Sequence, residues 1–246
     1  MNMKKTIAFL TILILSSQLI SAQLKINFHS TDGLNVTADW YPVSSELPVI
    51  LLCHQNGYSR GEFTEIAARL NQFGFNCLAI DLRVGGEING VKNETADEAT
   101  SKKIEPVLAD AERDMVAAVD YLNLRYKSPL IILGSSYSAS LALKIAAQNE
   151  KVAAVAVFSP GEYFEPANYI SSQISTLSKP VFATSSREES DIVTDLLKDV
   201  NSRIKVQYIP STKGDHGAKV LWTKSAFNQE YWIALMSFLD RMKKMQ

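Results

Sequence analysis

The hexapeptide Leu133-Gly134-Ser135-Ser136-Tyr137-Ser138 joins an apolar run directly to a segment rich in Ala and Leu. A strand that becomes a helix over so few residues must turn sharply, and such a turn pushes one serine hydroxyl above the strand end as a nucleophile. Small residues must flank that serine, because the turn brings strand and helix backbones together. Gly134 fits the first of these positions, and Ser138 stands where glycine is usual. The competing reading is a plain helix start, since serine is also a favoured N-cap. A serine hydroxyl needs a neighbouring base to attack a carbonyl. The chain holds three histidines, His29, His54 and His216. His29 belongs to an early strand and reads as a surface histidine. His216 lies in Lys213-Gly214-Asp215-His216-Gly217, a loop after the last strand. A loop there can reach over the carboxyl ends of the strands, where open α/β sheets build their sites. A third group, a carboxylate, should orient the imidazole and stabilise its cation. Ser185-Ser186-Arg187-Glu188-Glu189-Ser190-Asp191 follows the strand at Pro180–Thr184. Position along that strand favours Glu189, with Glu188 and then Asp191 as alternatives. Acidic residues also suit a helix start on electrostatic grounds alone.

The elements that must hold these residues follow from period and punctuation. Leu24–Ser30 and Leu34–Tyr41 read as an antiparallel hairpin around Thr31-Asp32-Gly33. Val49–Cys53, Asn76–Asp81, Leu130–Leu133, Val152–Phe158, Pro180–Thr184 and Ile204–Ile209 read as further strands. Several are continuous apolar runs, as expected of strands buried on both faces. Between them the spacing predicts helices over Phe63–Phe73, Ile104–Tyr126, Ser138–Gln148 and Asp191–Val200, with a last one from about Ser225 to Lys243. A Gly-rich polar loop is expected up to about Thr100. This order implies an α/β fold: a mostly parallel sheet of about eight strands with a leading antiparallel hairpin and helices on both faces.

The order nucleophile, acid, histidine is that of the α/β-hydrolases. Over nearly all of its mature length the chain resembles that superfamily, and more particularly its dienelactone-hydrolase-like branch. The resemblance is carried by the Ser136 turn, by the late Gly-Asp-His-Gly, and by Leu52-Cys53-His54-Gln55-Asn56-Gly57-Tyr58-Ser59-Arg60-Gly61-Glu62-Phe63. Ala79-Ile80-Asp81-Leu82-Arg83 with Gly85-Gly86 adds to it. The resemblance implies an oxyanion hole made by the backbone N–H of Tyr137 and that of Asn56 or Gln55. It gives His54 a bracing role in this loop. Arg60 and Glu62 are expected to form a structural ion pair, with recognition of a substrate carboxylate by Arg60 as the alternative. The segment Ser159–Lys179, where the superfamily often inserts a lid, is short here. That implies an open site for a small or exposed substrate, with Tyr163, Phe164 and Tyr169 either touching substrate or anchoring the insert.

Composition sets the outer bounds. The chain has 246 residues, 46% hydrophobic and 21% charged, with net charge −1, ordinary for a globular domain and without a nucleic-acid footprint. Lys4 and Lys5, the apolar run Thr6–Leu15 and the small Ala22 read as a bacterial-type signal peptide over residues 1–22, leaving residues 23–246 as one hydrolase domain. Export to the periplasm or beyond follows, with no stable membrane span after removal of the leader. Cys53 and Cys77 sit at apolar strand positions and are expected as buried thiols. No metal-ligand spacing is present, and no cofactor is needed. The expected function is a serine hydrolase acting on a small-molecule ester or similar acyl bond through an acyl-enzyme. The alternatives are a peptidase or acyltransferase using the same residues, or a non-catalytic binding protein with this fold.

Overall fold

A computed structural model of the chain describes residues 23–245; the expected leader lies outside them. The expected α/β architecture is present. Eight strands form one sheet in the order β1-β2-β4-β3-β5-β6-β7-β8. They are β1 Leu24–His29, β2 Asn35–Tyr41, β3 Val49–Cys53, β4 Asn76–Ile80, β5 Leu130–Ser135, β6 Val152–Phe158, β7 Val181–Thr184 and β8 Lys205–Tyr208. β1 and β2 form the antiparallel hairpin, β2 pairs antiparallel with β4, and every other pairing is parallel.

The strand alternation of two divides the core into two halves. Val49, Leu51 and Cys53 of β3 face one half, with Leu130 and Ile132 of β5 beside them. Ile50 and Leu52 face the other, with Ile131 and Leu133. The first half is closed by α3 (Ala111–Arg125), α4 (Tyr137–Gln148), α5 (Tyr169–Ile174) and α6 (Ser190–Leu196). The second is closed by α1 (Thr64–Gln72) and α7 (Asn228–Lys243). In α7 the helical spacing of Tyr231, Leu235, Phe238 and Met242 makes the buried stripe. Cys53 and Cys77 are free, buried thiols. They belong to opposite halves of the core, so their side chains leave the sheet on opposite faces and cannot meet.

The helices carry the clearest differences from the sequence expectation, and α5 lies within the insert, where no helix was expected. Residues 94–101, read as loop, form α2 (Glu94–Ser101). Asn93 caps it by accepting the Ala96 N–H at 2.8 Å, and its buried Thr95 accepts the Thr37 N–H of β2 at 2.9 Å. The long helix expected from Ile104 starts only at Ala111, after a short 3-10 turn over Leu108–Asp110. Pro106 lacks an amide hydrogen and blocks an uninterrupted start. The last helix begins at Asn228 rather than Ser225, because Phe227 takes a left-handed conformation, φ 61°.

Candidate active site

Four segments meet at the carboxyl ends of the central strands: the loop after β3, the β5–α4 turn, the loop after β7, and the loop after β8. In the β5–α4 turn, Ser136 has φ 61° and ψ −125°, a strained conformation for a residue with a side chain. Its hydroxyl makes no capping bond to α4, so the plain N-cap reading does not apply. Gly134 is required by space: a Cβ there would lie 2.6 Å from the Ala139 Cα and 2.7 Å from its nitrogen. Ser138, the departure from glycine, is used. Its Oγ accepts the Ser135 N–H at 3.0 Å and donates to the Cys53 carbonyl at 2.7 Å, tying the turn to β3.

Ser136 Oγ lies 2.8 Å from His216 Nε2, and His216 Nδ1 lies 2.5 Å from Glu189 Oε1. Burial alone would raise the Glu189 carboxyl, but the His216 and Ser159 hydrogen bonds hold it down at about 2. An ionised carboxylate only accepts, so Nδ1 carries the imidazole proton. That leaves Nε2 with a lone pair for the Ser136 hydroxyl. Asp215 Oδ1 accepts the His216 N–H at 2.8 Å and pairs with Lys219 at 3.0 Å, fixing the loop at its outer side. The other two carboxylates considered lie elsewhere. Glu188 is solvent-exposed and faces Lys213 at 3.6 Å. Asp191 is exposed in the first turn of α6, where the helix dipole accounts for it. The side chains of three close neighbours diverge at a helix start, so only one can point back over the sheet.

The loop after β3 is braced from beneath by His54. Its Nδ1 donates to the Gln55 carbonyl at 2.8 Å and its Nε2 accepts the Leu82 N–H at 2.9 Å. Burial pushes its pKa down to about 4, against the Gln55 bond, so this imidazole is neutral. Of the two residues considered as oxyanion donors in this loop, Gln55 is engaged: its N–H donates to Glu62 Oε2 at 2.8 Å. The N–H groups of Asn56 and of Tyr137, at the start of α4, make no hydrogen bond among the described residues.

The expected Arg60–Glu62 ion pair is not formed. Arg60 instead contacts Asp39 at 3.0 Å, Asp81 at 2.6 Å and Glu94 at 2.9 Å, all structural partners. Residues 60–63 form a 3-10 turn, whose roughly three residues per turn send positions 60 and 62 in different directions. Glu62 points under the site, where its Oε1 accepts the Ser135 hydroxyl at 2.8 Å.

Two serines not singled out from sequence complete the frame. Ser159 Oγ accepts the Gly217 N–H at 2.9 Å and donates to Glu189 Oε2 at 2.7 Å. Ser135 Oγ accepts the next N–H, that of Ala218, at 2.8 Å while donating to Glu62. Ser159 could have been suspected only from its place at the end of β6, and Ser135 only from its place beside Ser136. Gly217, φ 76°, passes so close that a Cβ would lie 2.2 Å from Gln55 Oε1.

The short insert after β6 divides its aromatics between two tasks. Phe164 is buried and packs edge-on against Tyr169 at 5.7 Å, anchoring the insert. Tyr163 is 39% exposed, donates its hydroxyl to the Ser159 carbonyl at 2.8 Å, and lines a groove of about 610 Å³ beside His216. Ile192 and Leu196 also line that groove. No helix among the described residues is long and apolar enough to cross a membrane.

Comparison with known proteins agrees with this fold. An esterase from Pyrococcus furiosus, Pf2001, superposes with TM-score 0.69 at 19% identity, covering 89% of this chain and 92% of the esterase. A dienelactone hydrolase from Anabaena variabilis superposes with TM-score 0.67 at 16% identity, covering 88% and 95%. An acylaminoacyl peptidase from Pyrococcus horikoshii gives TM-score 0.63 at 17% identity, with 89% of this chain matching 41% of the peptidase. No curated protein matches the sequence. At these identities the superpositions speak for the fold. The sequence itself goes further: the dienelactone hydrolase family matches residues 33–211, most of the chain. With a strand-turn-helix serine, a late histidine and the eight-stranded sheet of this fold all in place, the chain is an α/β-hydrolase belonging to the dienelactone hydrolase family.

Proposed function

We propose that the protein is a serine hydrolase that cleaves carboxylic esters of small substrates. The observation that carries this reading is the continuous hydrogen-bond line from Ser136 through His216 to the ionised Glu189. Ser136 Oγ attacks the carbonyl carbon as His216 Nε2 takes its proton. Glu189 stabilises the imidazolium that results. The N–H groups of Asn56 and Tyr137 stabilise the oxyanion; each such donor contributes about 3–4 kcal/mol in enzymes where one was removed. His216 then protonates the leaving alkoxide, and water attacks the acyl-enzyme by the reverse route.

The groove beside His216 supports a small, partly apolar substrate, with Tyr163, Ile192, Leu196 and Lys198 among its lining residues. An engaged, correctly tautomerised histidine argues against a non-catalytic binding protein, which has no need of one. Export is part of the proposal and rests on the sequence pattern of residues 1–22. Hydrolysis of p-nitrophenyl acetate and butyrate, set beside matched anilides, tests the reading. Ester turnover well above anilide turnover supports it, whereas a folded protein inert to all four contradicts it. Recovery of the protein in the periplasmic or culture fraction of a bacterial host tests export.

A further inference from the structure

We propose that Glu62 is a positioning residue whose carboxylate locks the oxyanion loop, the nucleophile turn and the histidine loop into one geometry. This rests on the serine-hydrolase reading given above. Glu62 is fully buried and forms no ion pair among the described residues. Both of its oxygens are taken by donors from the site. Oε2 accepts Gln55 N–H, next to the Asn56 donor, and Oε1 accepts the Ser135 hydroxyl, next to the nucleophile. Ser135 Oγ in turn accepts Ala218 N–H, two residues past His216. The main chain of Glu62 adds a further tie, its carbonyl accepting Trp222 Nε1 at 2.8 Å from the same late loop.

The direction of each bond is fixed by chemistry. The two amide N–H groups can only donate and an ionised Glu62 can only accept, so the Ser135 hydroxyl hydrogen goes to Glu62, which accepts twice. An amide side chain could accept from Gln55, but its NH₂ would then face Ser135 Oγ, and the Ser135 hydrogen would lose its acceptor. A buried carboxylate without a cation partner is costly, and a purely structural tie could be made by neutral groups. Burial pushes Glu62 up to about 7, opposed by the Gln55 N–H, the Ser135 hydroxyl, and the charges of His216 and Lys219. The phenols of Tyr58 and Tyr137 are the other titratable groups that sense its charge.

The test compares wild type, Glu62→Gln, Ser135→Ala and the double variant in steady-state hydrolysis of p-nitrophenyl acetate, with thermal melting and inhibition by phenylboronic acid. The boronate adduct of serine needs nucleophile and oxyanion donors aligned, and a remote structural change would leave it intact. Each single variant should lose about 10- to 100-fold in kcat with KM nearly unchanged, and lose boronate affinity in proportion. The double variant should be little worse than the poorer single, because both break one chain of bonds. Glu62→Gln hydrolysing and binding boronate within about twofold of wild type overturns the proposal, as do single losses that simply multiply. Should Glu62→Gln fail to fold, Ser135→Ala carries the same test alone. A wild-type protein with no turnover overturns the hydrolase reading and this proposal with it, an outcome distinct from an active wild type with an equally active Glu62→Gln.

Discussion

Glu189 and Glu62 are wired alike to the histidine loop. Each accepts a serine hydroxyl, from Ser159 and Ser135, and each serine accepts one of the consecutive N–H groups of Gly217 and Ala218. Their electrostatics are opposite. Glu189 is partly exposed and bonded to an imidazole, and is held at about 2. Glu62 is sealed in, bonded only to neutral donors, and is raised to about 7. The same hydroxyl relay therefore serves two ends. Where a group that can become a cation faces the carboxylate, the charge is secure and can stabilise an imidazolium. Where only backbone and hydroxyl donors bond to it, the carboxylate holds geometry and its charge depends on pH.

The harshest way to break this comparison is at the serine both sides support. Ser136→Ala should lower kcat for ester hydrolysis by about 10⁴-fold or more, measured with purified protein whose melting temperature is unchanged. Next comes the acid. Glu189→Gln should cost about 10³- to 10⁴-fold, because a neutral amide cannot fix the Nδ1–H tautomer or balance the imidazolium. Glu188→Gln and Asp191→Asn should each stay within about twofold in the same assay, since neither side chain reaches His216.

Much of this was legible in the sequence, and the misses share a cause. Ser136 and His216 announced themselves through a strand-turn-helix junction and a lone late histidine. Glu189 was favoured from its distance along β7. The sheet was readable because buried parallel strands are continuous apolar runs. What local pattern could not convey was direction. Arg60 and Glu62 sit close in sequence with opposite charge, yet a 3-10 turn sends one to Asp81 and the other beneath Ser135. Helix α2 was missed for a related reason. Its residues are mostly polar, and it is held by the Asn93 cap and by tertiary bonds such as Thr95 to β2 and Glu94 to Arg60, which have no periodic signature.

Smaller effects sharpen the contrast between the two carboxylates. The folded-state pKa of Glu62 lies above that of an unfolded glutamate, so the folded protein binds the extra proton between the two values. Stability drawn from this group is full at low pH and falls as pH rises towards about 7. Relative to Glu62→Gln, wild type should therefore lose melting temperature between about pH 5 and 7.5, a trend that thermal scans across that range will reveal. Glu189 has the opposite sign. Its folded-state value is depressed, so its contribution is present above the unfolded value and disappears as pH falls towards about 2. A modest change is expected at the turn itself. Ser138→Gly removes the bonds to Ser135 N–H and the Cys53 carbonyl. It should cost about 1–2 kcal/mol in denaturant unfolding while leaving kcat within a few-fold.

The most direct measurement is reaction with a fluorophosphonate followed by mass mapping of the adduct, in wild type, Ser136→Ala and His216→Ala. The expected result is a single adduct on Ser136 in wild type, none in Ser136→Ala, and at most trace labelling in His216→Ala. A folded wild type that takes no label, or an adduct on another residue with Ser136 untouched, would contradict an activated nucleophile at Ser136.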